Sequence, residues 1–175
     1  MIGRWRWSGT LLLLVLLAGC SSGQPTETQA TLTPIPVSTQ TDVAADGTAL
    51  AADVTAVAVS GSENAYRFAV TVASPDTGCE QFADWWEVLS EDGVLIYRRV
   101  LLHSHVDEQP FTRSSGPVVI SADTVVIVRA HMAPGGYGGA AMRGSVNGGF
   151  EPVEPDTGFA EGVESQPPLP EGCAF

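Results

Sequence analysis

The sequence predicts an all-β domain, a sandwich of about seven strands, and three observations carry that expectation. Apolar residues recur at period two. Tyr66, Phe68, Val70 and Val72 alternate with Arg67, Ala69 and Thr71, the pattern of a strand buried on one face. Turn residues separate such runs, the clearest being Asp92-Gly93, a dipeptide that favours a tight hairpin. No segment carries a convincing apolar stripe at helical spacing.

In chain order, a Val/Ala run over residues 50–60 gives the first strand. Gly61 to Asn64 turns the chain into the second, Tyr66 to Val72. Phe82 to Ser90 and Val94 to His105 flank Glu91-Asp92-Gly93 as a hairpin. Pro117 to Ile120 is a short strand opened by a proline, which suits an edge or a strand start. Thr124 to Met132 is dense in Val and Ile, and Gly139 to Val146 forms a weaker last strand. Number and spacing point to an immunoglobulin-like or fibronectin-type β-sandwich over residues 48–150, with a small barrel as the alternative. About 100 residues suffice for one modest core, and such a fold assigns no activity by itself.

The chain opens as a secretory signal. Arg4 and Arg6 precede an uncharged apolar run from Leu11 to Leu17, followed by Ala18 and Gly19. That run is too short to cross a hydrocarbon core of about 30 Å, which takes roughly 20 helical residues. Leu17-Ala18-Gly19-Cys20 resembles the lipobox of bacterial prolipoproteins. The resemblance covers residues 1–20. It implies removal of residues 1–19, a diacylglyceryl thioether on Cys20 and acylation of the new terminus. Two or three acyl chains anchor firmly where one binds marginally. In that family a serine after the cysteine, here Ser21, goes with release from the inner membrane. The expectation is an extracytoplasmic protein lipid-anchored to the cell membrane or outer membrane. The plain alternative is an ordinary signal peptide with a chance cysteine. Residues 20–47 then join the lipidated Cys20 to the domain through a Ser/Thr/Pro-rich linker that cannot bury a core. Its reach is about 90 Å fully stretched and about 30 Å as a relaxed coil.

Charge excludes several functions. The chain has eight arginines, no lysine and twenty Asp plus Glu. Without Arg4 and Arg6, six arginines against twenty acids leave a net charge of −14. Such a surface repels nucleic-acid phosphate and anionic lipid head groups, so nucleic acid is no partner. It favours solubility, or a weak attraction of cations. Without lysine there is no Schiff base, pyridoxal phosphate lysine, Walker lysine or Ser-Lys dyad.

With Cys20 assigned to lipid, Cys79 and Cys173 remain. In an oxidising compartment they read as a disulfide, with two free thiols as the alternative. Closing so long a loop stabilises by roughly 4.7 kcal/mol in the chain-entropy model. Residues 151–175 hold six acids, five prolines and no basic residue. Alone they would be disordered, and the Cys173 bond would pin this acidic tail along the domain. Two distant cysteines exclude a Cys-rich zinc, iron–sulfur or c-type haem site.

The chain has three histidines. His103 and His105 share a face if the strand from Val94 continues through them. His131 has the parity of Val125, Ile127 and Arg129. His-x-His plus a third imidazole suits copper or zinc, with Glu108 or Asp107 completing the sphere. The plain alternative is surface or hydrogen-bonded histidines at strand ends. His103 to Arg113 and Ala130 to Gly139 read as long loops. The second holds Tyr137 among Gly135, Gly136, Gly138 and Gly139, which allow a flexible turn or a close approach to a ligand. Together these loops resemble segments of uncharacterised secreted bacterial proteins over residues 79–150, a resemblance that carries no activity. Adjacent Trp85 and Trp86 face opposite ways in a strand. One belongs in the core. The other is either covered by the tail or a neighbouring strand, or exposed beside Asp84 and Glu87 to stack on a sugar.

No Gly-x-Ser-x-Gly elbow or His-Glu-x-x-His motif occurs, and no catalytic residue is named. The first functional reading is a tethered, non-catalytic binding module for an envelope protein, glycan or small ligand, with Trp85, Trp86 and Tyr137 as contacts. The second is a copper- or zinc-binding lipoprotein using His103, His105, His131 and Glu108. The third is an envelope hydrolase.

Overall fold

The computed structural model describes residues 50–174, and over them the chain is an all-β sandwich. The expected signal peptide, Cys20 and the expected linker lie outside the described residues. Eight strands form: β1 (Asp53–Ser60), β2 (Tyr66–Ala73), β3 (Phe82–Ser90), β4 (Leu95–Val100), β5 (Phe111–Val118), β6 (Val126–Ala133), β7 (Ala141–Ser145) and β8 (Gly149–Val153). They make two antiparallel sheets, ordered β1-β2-β5 and β4-β3-β6-β7-β8. Constant-type immunoglobulin domains divide their strands four against three; here the division is three against five. Among the described residues no helix is long and apolar enough to cross a membrane.

The alternation read from the sequence sets the inner faces. Phe68, Val70 and Val72 of β2 meet Trp86 and Val88 of β3, Phe111 and Val118 of β5, and Val126, Val128 and Met132 of β6. Each large apolar side chain so buried contributes about 1.5–3 kcal/mol. The β3–β4 hairpin turns at Gly93, where φ is +78°. A Cβ there would lie 2.9 Å from Ala160 Cα, so this position needs glycine both for its backbone and for the chain crossing above it.

Three boundaries differ from expectation. Strand β4 ends at Val100, so His103 and His105 sit in a loop and not on a strand. Strand β5 spans Phe111–Val118 and not residues 117–120. Its proline, Pro117, stands near the strand's end, tolerated because β5 is an edge. Strand β8 extends the sheet through Val153, into residues read as tail. Pro152 is accommodated there for the same reason, since β8 edges its own sheet.

Strand β3 is buried along both faces from Phe82 to Leu89. The inner face meets the other sheet. On the outer face, tail residues 159–168 bond to Arg129 and His131 of β6 and to Arg98 of β4, the two strands that flank β3. This tail makes one turn of 3-10 helix at Val163–Ser165 and buries Val163. The Cys79–Cys173 disulfide closes it, with Cα atoms 5.5 Å apart, and Ala174 N donates to Leu102 O.

Candidate functional site

The site grows from the outer face of the five-stranded sheet. Pairing places Glu87 of β3 opposite Arg98 of β4 and Arg129 of β6, a row of three charges across three strands. Glu87 is fully buried. Arg98 Nε and Nη2 donate to Glu87 Oε2 at 2.8 and 2.6 Å, and Arg129 Nε donates to Oε1 at 2.9 Å. Desolvated charges persist only when paired and hydrogen-bonded, and the tail supplies most of the remaining partners. Its backbone carbonyls accept from both terminal nitrogens of Arg98 and from Nη1 of Arg129, leaving Arg129 Nη2 without a partner. Arg98 donates to Val163 O, Gln166 O and Pro168 O, and Arg129 Nη1 donates to Phe159 O at 3.0 Å.

The neighbouring row pairs Trp85 with His131. Their rings stack 3.7 Å apart at 7°. The Asp84 carboxylate accepts from His131 Nδ1 at 2.6 Å, and His131 Nε2 lies 3.3 Å from Glu164 Oε1 of the tail. A bulge between Ala83 and Trp85 is the local irregularity beside Asp84. Arg98 stands 4.5 Å over the Trp85 ring.

Tyr137 closes the row. Its hydroxyl accepts from Trp85 Nε1 at 3.2 Å, and Arg129 lies 3.5 Å over its ring. The loop that carries it is glycine-rich for a packing reason. A Cβ on Gly139 would stand 2.2 Å from Ala52 O, so this loop lies directly on the chain entering β1. Burial, then the Glu87 carboxylate, pushes the Tyr137 phenol up from 10.0 to about 12. A phenol raised in the folded state stabilises the fold below the unfolded value of about 10, and that contribution is lost as pH rises through the folded value. Phenolate absorbance titration is expected to show one tyrosine ionising near 12, lost in Tyr137→Phe. Normal titration of all three tyrosines in the folded protein would contradict this placement.

Between this face and the tail lies a cleft of about 540 Å³. Arg129, Tyr137 and Phe159 are among its lining residues, with Glu154, Asp156, Glu161 and Glu164 contributed by the tail.

A second polar cluster lies in the loops beside β5. Asp76 Oδ1 accepts from Ser74 Oγ and Ala83 N, and its Oδ2 from His105 N. His105 stacks on Phe111 at 3.7 Å, and neither ring nitrogen has a hydrogen-bond partner. Burial chiefly, with Arg113 and His103 adding to it, lowers its pKa against the pull of Asp76 and Glu108. Glu108 is exposed and paired with Arg113 at 2.7 Å.

The expected three-imidazole site is therefore not assembled. His103 and His105 are neighbours, their centroids 4.6 Å apart. His131 instead engages Asp84 and Glu164, and Glu108 engages Arg113. Among the described residues no group of three or more His, Cys, Asp or Glu side chains is placed to hold a metal ion. Trp86 lies in the core and Trp85 is covered by His131, Arg98 and Tyr137, the two being 0 and 4% exposed, so neither offers a free face to a sugar. Tyr137 alone of the three expected contacts lines the cleft. Sequence reasoning missed Glu87, Arg98 and Arg129. The available signal was a charge inside an apolar strand: Glu87 between Trp86 and Val88, and Arg129 between Val128 and Ala130.

No family model and no solved structure matches the sequence. It is similar to a protein of Halomicrobium mukohataei named "Putative lipoprotein", with 40% identity over 114 residues. The match takes in 61% of this chain and 55% of the relative, so the chain spans about half that relative's length.

Proposed function

We propose that this is a lipid-anchored, extracytoplasmic binding protein that holds a small polar ligand in the cleft beneath its C-terminal tail. The anchor is supported by Leu17-Ala18-Gly19-Cys20 behind a short apolar run and by the likeness to a lipoprotein. Replacing Cys20 with alanine is expected to release the protein from membrane fractions or to block its processing. Normal cleavage with persistent membrane attachment would remove the anchor from this account.

The observation that carries the ligand reading is the cleft itself. Its volume of about 540 Å³ lies within the roughly 300–1,000 Å³ of small-molecule sites, and aromatic and charged side chains both line it. Amide NMR spectra of the soluble domain, residues 21–175, recorded with small organic acids, amines, amino acids and sugars, test it. Shifts confined to Tyr137, Gly138, Gly158 and Phe159 are expected for at least one class. A panel that moves none of these amides would sink the cleft as a ligand site.

A further inference from the structure

We infer that the ligand is a small zwitterion, its anionic oxygen received by Arg129 and its cationic group by the carboxylates of the tail. This rests on the cleft being the ligand site. Two independent features point to opposite ends of one molecule.

The first is an unmet donor. Arg129 is 5% exposed. Its Nε is taken by Glu87 and its Nη1 by Phe159 O, but Nη2 is buried without any partner. Leaving a buried donor unpaired is costly, more so when it is charged. Arg129 lines the cleft, its guanidinium set between Tyr137 and Phe159, which line it too. Charge agrees with this. Two guanidiniums share the single Glu87 carboxylate, so the buried row carries an excess positive charge. The nearby Asp84 is taken by His131. An oxygen bearing negative charge answers both the empty donor and the excess charge.

The second is the wall opposite. Glu154, Asp156, Glu161 and Glu164 line the same cleft, and all four are exposed. None of them pairs with an arginine among the described residues, and Glu164 alone meets a histidine, His131 Nε2 at 3.3 Å. An anion alone would meet repulsion from these carboxylates, and a cation alone would leave Arg129 Nη2 empty. A molecule with both charges satisfies both ends.

The test uses the soluble domain at low salt, with amide shifts at Tyr137, Gly138 and Gly158 as readout. The common free amino acids are the probes. Propionate and ethylammonium, the two halves of alanine, are the controls. Amino-acid binding at least about tenfold tighter than either half is expected, the worth of one charge-assisted hydrogen bond. Glu154→Gln combined with Asp156→Asn is expected to weaken it about tenfold, with Asp107→Asn, outside the cleft, leaving it unchanged. Arg129→Lys is expected to abolish the preference over ethylammonium. Because Arg129 also holds the tail, the rim variant keeps the test valid should that protein misfold. Ethylammonium binding as tightly as any amino acid would overturn the zwitterion while the cleft stands as a cation site. No response to any amino acid would also overturn it, and the sugars and acids of the wider panel then decide the cleft separately. Equal weakening by Asp107→Asn would reduce the effect to general charge and overturn the assignment.

Discussion

Replacing Glu87 with alanine is expected to destabilise the domain by about 3–5 kcal/mol, the cost of breaking a buried ion pair and leaving the partner charge uncompensated. Here two partners are stranded, because Arg98 and Arg129 both bond that carboxylate. The loss compares with a total stability of about 5–15 kcal/mol for an ordinary domain, so the variant sits near the edge of folding at room temperature. Denaturant unfolding of both proteins measures it. Glu91→Ala is the control: Glu91 pairs with Arg143, but their side chains are 50 and 41% exposed, and such pairs contribute within about 1 kcal/mol. If Glu87→Ala shifts the midpoint no more than Glu91→Ala, the central ion row is not holding the sheet and its tail together.

Breaking the disulfide carries the second large effect. Cys173→Ser is expected to cost about 2–5 kcal/mol. Cys79 and Cys173 are 94 residues apart, and in the chain-entropy account a long closed loop restricts the unfolded chain most. Denaturant midpoints of the variant and of the reduced native protein should agree, and both should fall below that of the oxidised protein. Hydrogen exchange adds the location. Amides of residues 154–174 should open first, with β3 and β6 opening only on global unfolding. A reduced protein as stable as the oxidised one, its tail still protected, would mean that the arginine–carbonyl bonds alone hold the tail.

The sequence made the strands legible wherever one face is apolar and the other is not. The alternation from Tyr66 to Val72 reads directly as β2, and Asp92-Gly93 as the β3–β4 turn. It misplaced β5 because Thr112, Arg113, Ser114 and Ser115 are small or polar. The outer face of an edge strand asks for little else. It ended the domain too early because Pro152 and its acidic neighbours look like tail, although Asn147-Gly148 is itself a hairpin signal. The candidate site was less legible. Trp85 and Trp86 were correctly expected to face opposite ways, but only the folded chain shows what covers Trp85. The three histidines are close in sequence pattern and divided in space. Imidazole parity along a strand says which face a ring takes and nothing about its distance from a ring on another element. The Arg98–Glu87–Arg129 row needs strand register, which single-sequence periodicity does not supply.

The arginines hold the tail almost entirely through its peptide carbonyls, at Phe159, Val163, Gln166 and Pro168. Every amino acid carries that group. The arginine fastening is therefore indifferent to side-chain identity along most of the tail, the side chains that do matter being the buried Val163, Glu164 on His131 and Cys173 in its disulfide. Mutational drift can rewrite Glu154, Asp156 and Glu161 without loosening the strap. One wall of the cleft is free to change its chemistry over evolutionary time while keeping its position.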